Sequence, residues 1–449
     1  MFKKIEIWIL YLTILLGILF SIFFGILVRQ ELVGSITLGP ISKFALFLAE
    51  VPKNTKQFFL NPSQLNFLRF DDIQGFKGAP NIEEKYFLLS RFDGALQEGI
   101  VELIDLRTFK VLHTWNPDFD ALNTQSDKDG KYHLKNLQRD FHNGRARLFH
   151  PLLLANGELI FTFPFRKIDA CSNLILQNDN HIFHHSIEMD HEGNFWLPSK
   201  IYPSRYSEIV GNEHSQDGGY HDDALSLISN DGEIKYQKSV TEIFVENNME
   251  QLIFANASDK FKNNPLHLND IQPVNIDGEF FKKGDIFFSL RHQSMIVLFR
   301  PSTNKILWKS SGKFFFQHDV DVIDNSRISL FNNNVKNFYN GQRVHGNNEV
   351  LIYNFQNNSF QSYLSASLQA EDVRTLTGGL HTILENNDLF IEESDFGRFI
   401  YFNSNGTLRW QYVNRWQDQV YRVAWSRVID KESDIKMVNR FLASRKECK

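Results

Sequence analysis

The chain has 449 residues, 42% hydrophobic and 22% charged, which is the composition of a folded protein and not of a disordered one. Its formal charge of -5 is spread without a basic block, so the electrostatic footprint of a nucleic-acid binder is missing. Its two cysteines, Cys171 and Cys448, show no zinc-type spacing, and Cys448 lies in a charged segment where a structural disulfide is not expected.

Ile7 to Val28, "IWILYLTILLGILFSIFFGILV", is uncharged. As a helix rising about 1.5 Å per residue it spans roughly 33 Å, enough to cross a bilayer. Lys3 and Lys4 precede it, Arg29 follows, and no Ala-x-Ala-like cleavage site comes after it. Residues 1–29 therefore read as an uncleaved membrane anchor with the body exported to the periplasm or another extracytoplasmic space. Residues 30–85 read as a connector, in which "GPISKFALFLAEVP" has the spacing of an amphipathic helix that Pro52 should end.

From Tyr86 the pattern changes to short alternating runs broken by Asn-Gly, Asp-Gly and Asn-Asn turns, the signature of hairpins. Hairpins such as "HPLLLANGELIFTF" and "HTILENNDLFIEES" alternate with partners such as "IVLFRPSTNKILWKS". Paired hairpins make four-stranded blades, placed at 86–117, 148–178, 184–240, 265–310, 316–365 and 379–413. The expected fold is all-β, a six-bladed β-propeller at 86–430 behind an N-terminal transmembrane helix. "VYRVAWSRVI" at 420–429 is a spare strand that would close the ring onto the first blade. At the end of the third blade, "SVTEIFVENNMEQLIFA" predicts a helix with Ser239 and Glu242 as a capping box. Residues 431–449 form a charged C-terminal tail.

Four hairpins open on a histidine with an apolar residue two positions later: His150/Leu152, His185/Ile187, His318/Val320 and His381/Ile383. A fifth, His267, precedes Asn269 and Ile271. Period-two geometry places each histidine on the apolar face of its strand, and the repeat brings the set to one mouth of the channel. One such histidine would be a half-exposed strand start; five at one register position point to a pocket. Imidazoles can share a metal or act on anions, and "SLRHQS" bears on the choice. Arg291 there ends a strongly apolar strand, where its planar fork suits a tetrahedral oxyanion, although a rim salt bridge would also account for it.

"HHSIEMDHEGNFW", "HLNDIQPV" followed by "SLRHQS", and "QHDVDVID" followed by "LFNNN" together resemble the arylsulfate sulfotransferase family. The resemblance runs from about residue 86 to 430. It implies an exported six-bladed propeller that moves a sulfuryl group between phenols, independent of any nucleotide sulfate donor. It also implies His318 as the nucleophile that becomes sulfated, with His185 (or its neighbour His184), His267 and Arg291 holding the sulfate. His184, His292, Asn269, His381 and His150 are then expected to line the substrate site. The best-known bacterial members carry an N-terminal β-sandwich and a cleaved signal, where this chain reads as an anchor and a connector.

No cofactor and no metal are expected; a phosphate-cradling Gly-x-x-x-x-Gly-Lys does not occur. The partners are an aryl sulfate donor, a phenolic acceptor and, through the helix, a membrane. Asp319 and Asp321 are read as structural or inter-blade residues. Two other readings remain at this level: a histidine-ring metalloenzyme resembling an iron oxygenase, and a membrane-tethered propeller scaffold without catalysis.

Overall fold

The computed structural model describes the chain outside residues 1–5, 33–38, 60–63, 66–68, 71, 128–133, 135–136, 163, 216–217, 256–260, 446–447 and 449. Two units divide it: Met1–Pro62 with Asn256–Lys262, and Ser63–Ala255 with Asn263–Lys449.

The first unit contains helices Ile7–Leu32 and Gly39–Phe59, which pack on each other. In the apolar helix Thr13 and Ser21 return their hydroxyls to the carbonyls of Ile9 and Gly17, each at 2.8 Å, so neither presents an unpaired polar group. Ile7–Gln30 is long and apolar enough to cross a membrane, a property that an anchor and a signal sequence share. The helix end expected at Pro52 is not observed, because Gly39–Phe59 continues through it. Proline removes one backbone donor and leaves the neighbouring turns to carry the helix on.

The second unit is a six-bladed propeller. Blades two, four and five are the four-stranded sheets starting at Phe149–Leu153, Leu268–Pro273 and His318–Val322, and blade three starts at Ile182–Phe183 and Glu188–Met189. Blade five also carries a two-stranded insert, Val335–Phe338 with Gly341–Val344. Arg427–Ile429 pairs antiparallel with Tyr86–Leu88 and closes blade one, as the spare strand predicts. Residues 75–78, read as connector, add a further strand to blade six beside Leu408–Val413. Four residues are too few to show an alternating pattern. Their position is fixed by Phe76, which stacks on Phe109 at 4.2 Å and meets Trp410 edge-on at 5.3 Å. Gly78 permits the approach, since a Cβ there would lie 2.4 Å from the Arg409 carbonyl oxygen.

The first strand of each sheet has one edge without a neighbouring strand, and in five of the six blades a side chain of the preceding blade bonds to it. Ile187 N–H donates to His150 Nδ1 (3.1 Å), Ile271 N–H to Ser186 Oγ (3.1 Å) and Val320 N–H to Asp270 Oδ2 (2.7 Å). His381 N–H donates to Asp319 Oδ2 (2.6 Å) and Ser426 N–H to Glu392 Oε2 (2.8 Å). These bonds run from blade to blade around the axis and satisfy donors that burial would otherwise leave orphaned.

The strict alternation expected after each histidine is interrupted. Bulges fall between Phe149 and Leu152, between Leu268 and Asp270, and between His318 and Val320. His150, His185, His267 and Asp319 all adopt positive φ, from 47° to 59°. An inserted left-handed residue re-aims its neighbours, so period two does not decide where these side chains point.

The charged tail contains a helix, Glu432–Ser444, whose Val438 and Phe441 join the buried layer between blades one and two. Phe441 lies against Gly157, where any Cβ would sit 2.2 Å from its ring. Cys171 and Cys448 form a disulfide across 277 residues, contrary to the sequence expectation. The reason is tertiary: the docked helix carries Cys448 back to the blade-two turn that holds Cys171. The helix predicted after blade three forms as two short pieces, Val240–Glu246 and Gln251–Phe254. Ser239 Oγ accepts from Glu242 N–H at 3.1 Å, while the Glu242 carboxylate turns to Arg205 and leaves the capping box half made.

Candidate functional site

His318 opens the first strand of blade five and is 2% exposed. Gln317 before it is locked by amide hydrogen bonds to Ser289 Oγ, Leu290 O and Met295 O, which tie this strand to blade four. Asn269 donates to Gln317 O at 2.8 Å from the same side. Such anchoring leaves the backbone under His318 little freedom.

The ring itself is oriented by Asn333. Asn333 Nδ2 donates to the carbonyls of Thr375 (3.2 Å) and Gly378 (2.8 Å), so its Oδ1 must face His318 Nδ1, 2.7 Å away. An acceptor at that distance requires the proton on Nδ1 and leaves the Nε2 lone pair free. Burial, reinforced by the charge of Arg291, pushes the His318 pKa down to about 3, so the ring is neutral near pH 7.

His185 and His267, both half-buried, have ring centroids 5.4 Å apart, and His267 lies 4.5 Å from exposed His292. His185 and His318 both meet the ring of Trp425, at 6.2 and 6.1 Å. Burial holds His185 and His267 well below the usual histidine range, helped by the other imidazoles and Arg291. His184 Nδ1 lies 2.8 Å from His185 Nδ1, and His184 Nε2 lies 3.5 Å from Asp223 Oδ1. His184 Nε2 makes no hydrogen bond to that carboxylate, so the contact that fixes the two rings on each other is the Nδ1–Nδ1 bond, with one proton shared out to one of the two nitrogens.

Arg291 sits in the one-turn helix after the second strand of blade four and is 7% exposed. Its guanidinium packs 4.8 Å over Phe316, and Nη1 donates to His292 Nε2 at 2.9 Å. No carboxylate among the described residues pairs with it, so the rim salt bridge that the sequence allowed is not made. A buried cation whose polar partner is a neutral imidazole retains donors for an anion.

His150 and His381 are committed elsewhere. His150 Nδ1 accepts from Ile187 N–H, and His381 Nδ1 lies 2.8 Å from Asp319 Oδ2. Asp319 and Asp321 gather with His381, one donor atom from each lying within 4.8 Å of the others. Among the described residues these three form the group that could hold a cation.

Sequence reasoning did not single out Asn333, Trp425, Asp223, Lys200 or His221. Lys200 Nζ lies 2.9 Å from His221 Nδ1 on the blade-three side, and burial pushes the His221 pKa down to about 4. Asn333 lies in the quoted "LFNNN" run, but nothing in that run shows which asparagine turns inward.

Residues 156–415, more than half of the chain, match the family model described as arylsulfotransferase (ASST). No curated protein matches the chain. Among solved structures, a protein of unknown function from Bacteroides caccae aligns at TM-score 0.45 and 10% identity, over 78% of this chain and 100% of its own. A streptogramin B lyase aligns at 0.37 and 10%, over 82% and 95%. A virginiamycin B lyase from Staphylococcus aureus aligns at 0.37 and 10%, over 79% and 98%.

Proposed function

The chain belongs to the arylsulfotransferase family, and from that membership we propose that it moves a sulfuryl group from an aryl sulfate to a phenolic or other hydroxyl acceptor through a sulfohistidine at His318. The observation that carries this reading is Arg291: a buried guanidinium with no carboxylate partner among the described residues, set among neutral imidazoles.

In the first half-reaction His318 Nε2 attacks sulfur, the N–S bond forms, and the S–O bond to the aryl group breaks with its electron pair leaving on the phenolate. Asn333 holds the Nδ1 proton throughout, so the attacking lone pair stays on Nε2. Arg291 and His267 donate to the sulfuryl oxygens as charge builds on them, and one such donor is worth roughly 3 kcal/mol in comparable sites. In the second half-reaction an acceptor hydroxyl attacks sulfur, its proton passes to His185 Nε2, and the S–N bond breaks to restore His318. His185 returns that proton to a departing phenolate or to water. His184 orients His185 for this exchange. His292, at the exposed edge, and Asn269, beneath the strand, complete the substrate site.

The propeller is read as an exported body behind the N-terminal helix. The Cys171–Cys448 disulfide supports this placement, because such bonds persist in oxidising compartments.

The test is mass spectrometry after exposure to an aryl sulfate. A sulfated peptide containing Gln317 and His318 is expected, and His318→Ala is expected to lower transfer by on the order of 1,000-fold or more. Wild-type transfer by a folded His318→Ala variant, or sulfate on another residue, sinks the proposal.

A further inference from the structure

Two inner strands meet at the propeller axis, His318–Val322 of blade five and Leu380–Ile383 of blade six. The first contributes Asp319 and Asp321, the second His381. One imidazole nitrogen and one oxygen from each carboxylate lie within 4.8 Å of one another. His381 Nδ1 donates to Asp319 Oδ2 at 2.8 Å, which leaves the Nε2 lone pair as the imidazole's free donor to an ion.

Charge around this point is one-sided. Asp270 of the neighbouring inner strand, Glu188 and Glu392 add carboxylates, and Arg427 is engaged by Glu188 at 3.0 Å and by the Pro151 carbonyl. Carboxylates in excess of cations are costly to bury unless a counter-ion or protons neutralise them.

A second observation is independent of the acids. His381 is 1% exposed, and its Nε2 has no hydrogen-bond partner. Asp321 beside it is half-buried, and its carboxylate is not among the buried polar groups that lack a partner. A proton can satisfy one such acceptor, whereas a cation draws on an imidazole and both carboxylates together.

We propose that Asp319, Asp321 and His381 hold a divalent first-row transition cation of the Mn2+ or Zn2+ kind, bound structurally at the junction of blades five and six. The mixed nitrogen and oxygen donor set sets the class, since Ca2+ and Mg2+ prefer oxygen throughout. Three protein donors leave the remaining positions to water. The ion takes no part in sulfuryl transfer, and the inference does not rest on that function. Its effect is mechanical: it pins the residue next to His318 to the following blade.

The experiment uses the full-length protein purified in detergent. Elemental analysis by mass spectrometry is expected to find about one equivalent of Mn2+, Zn2+ or a like ion per chain. After chelator stripping, added Mn2+ or Zn2+ is expected to raise the melting midpoint. Asp321→Asn and His381→Gln are each expected to weaken Mn2+ binding by about tenfold or more. Wild-type protein that purifies without stoichiometric metal, and whose midpoint neither ion moves, overturns the proposal and leaves protons as the neutralising charge. A response to Ca2+ alone overturns the donor assignment. Both measurements are made on the wild type, so they stand even where a variant fails to fold.

Discussion

His318 shows how much of a catalytic side chain is decided by what stands behind it. Its neutral state follows from burial, and its tautomer follows from Asn333, whose amide is fixed by two carbonyls. Asn333→Ala removes the acceptor and frees the ring to place its proton on either nitrogen. We expect kcat to fall roughly tenfold to a hundredfold, with little change in KM and with the sulfated peptide still at His318. Asn333→Asp, which keeps the acceptor, should recover part of the loss. Steady-state kinetics on the three proteins check this, and an unchanged kcat in Asn333→Ala removes the positioning role.

At the scale of elements, the C-terminal helix shows how tertiary packing can recruit a segment that looks like a tail. Its apolar stripe, with Ile435, Val438, Phe441 and Leu442, fills the layer between blades one and two. Phe441 meets Trp115 at 6.0 Å and covers Gly157. Phe441→Ala leaves a cavity in that layer and is expected to cost about 3–5 kcal/mol, measured by denaturant unfolding. Gly157→Ala should be destabilising as well, since the glycine has φ of 80° and no room for a Cβ. A helix that merely lay on the surface would lose less than about 1 kcal/mol on the Phe441 change.

For the whole molecule, a propeller that places imidazoles around its axis must bury them uncharged. His150 is held well below its ordinary pKa by burial and by Arg427. Between that value and 6.5 the unfolded chain binds the proton and the folded chain does not. Its contribution to stability is therefore complete above about pH 6.5 and is lost as pH falls. Buried carboxylates raised in pKa, such as Glu392 at about 7, act with the opposite sign, so wild-type melting alone mixes the two. Comparison with His150→Asn, which can still accept from Ile187 N–H, isolates the histidine. The stability difference between the two proteins is expected to shift toward the variant by about 1.4 kcal/mol per pH unit below pH 6. A pH-independent difference would mean that His150 is already protonated in the folded protein.

The blade count, the closing strand and the apolar helix were legible in the sequence because each rests on local periodicity and turn chemistry. Ser239 was legible as a cap for the same reason. The register position of the histidines was legible as a repeat, and Arg291 as a cation at the end of an apolar strand. Other features depend on residues far apart in the chain, and no local pattern encodes them. Positive φ at His150, His185 and His267 decided where these rings point, and Thr375 and Gly378 decided the proton on His318 through Asn333. Gly78 and Phe76 placed an outer strand, and Phe441 brought Cys448 to Cys171. The sequence by itself determined that six like sheets would form and that histidines would open several of them. Only the tertiary structure decided which imidazoles face one another, because that depends on how one blade's side chains satisfy the backbone of the next.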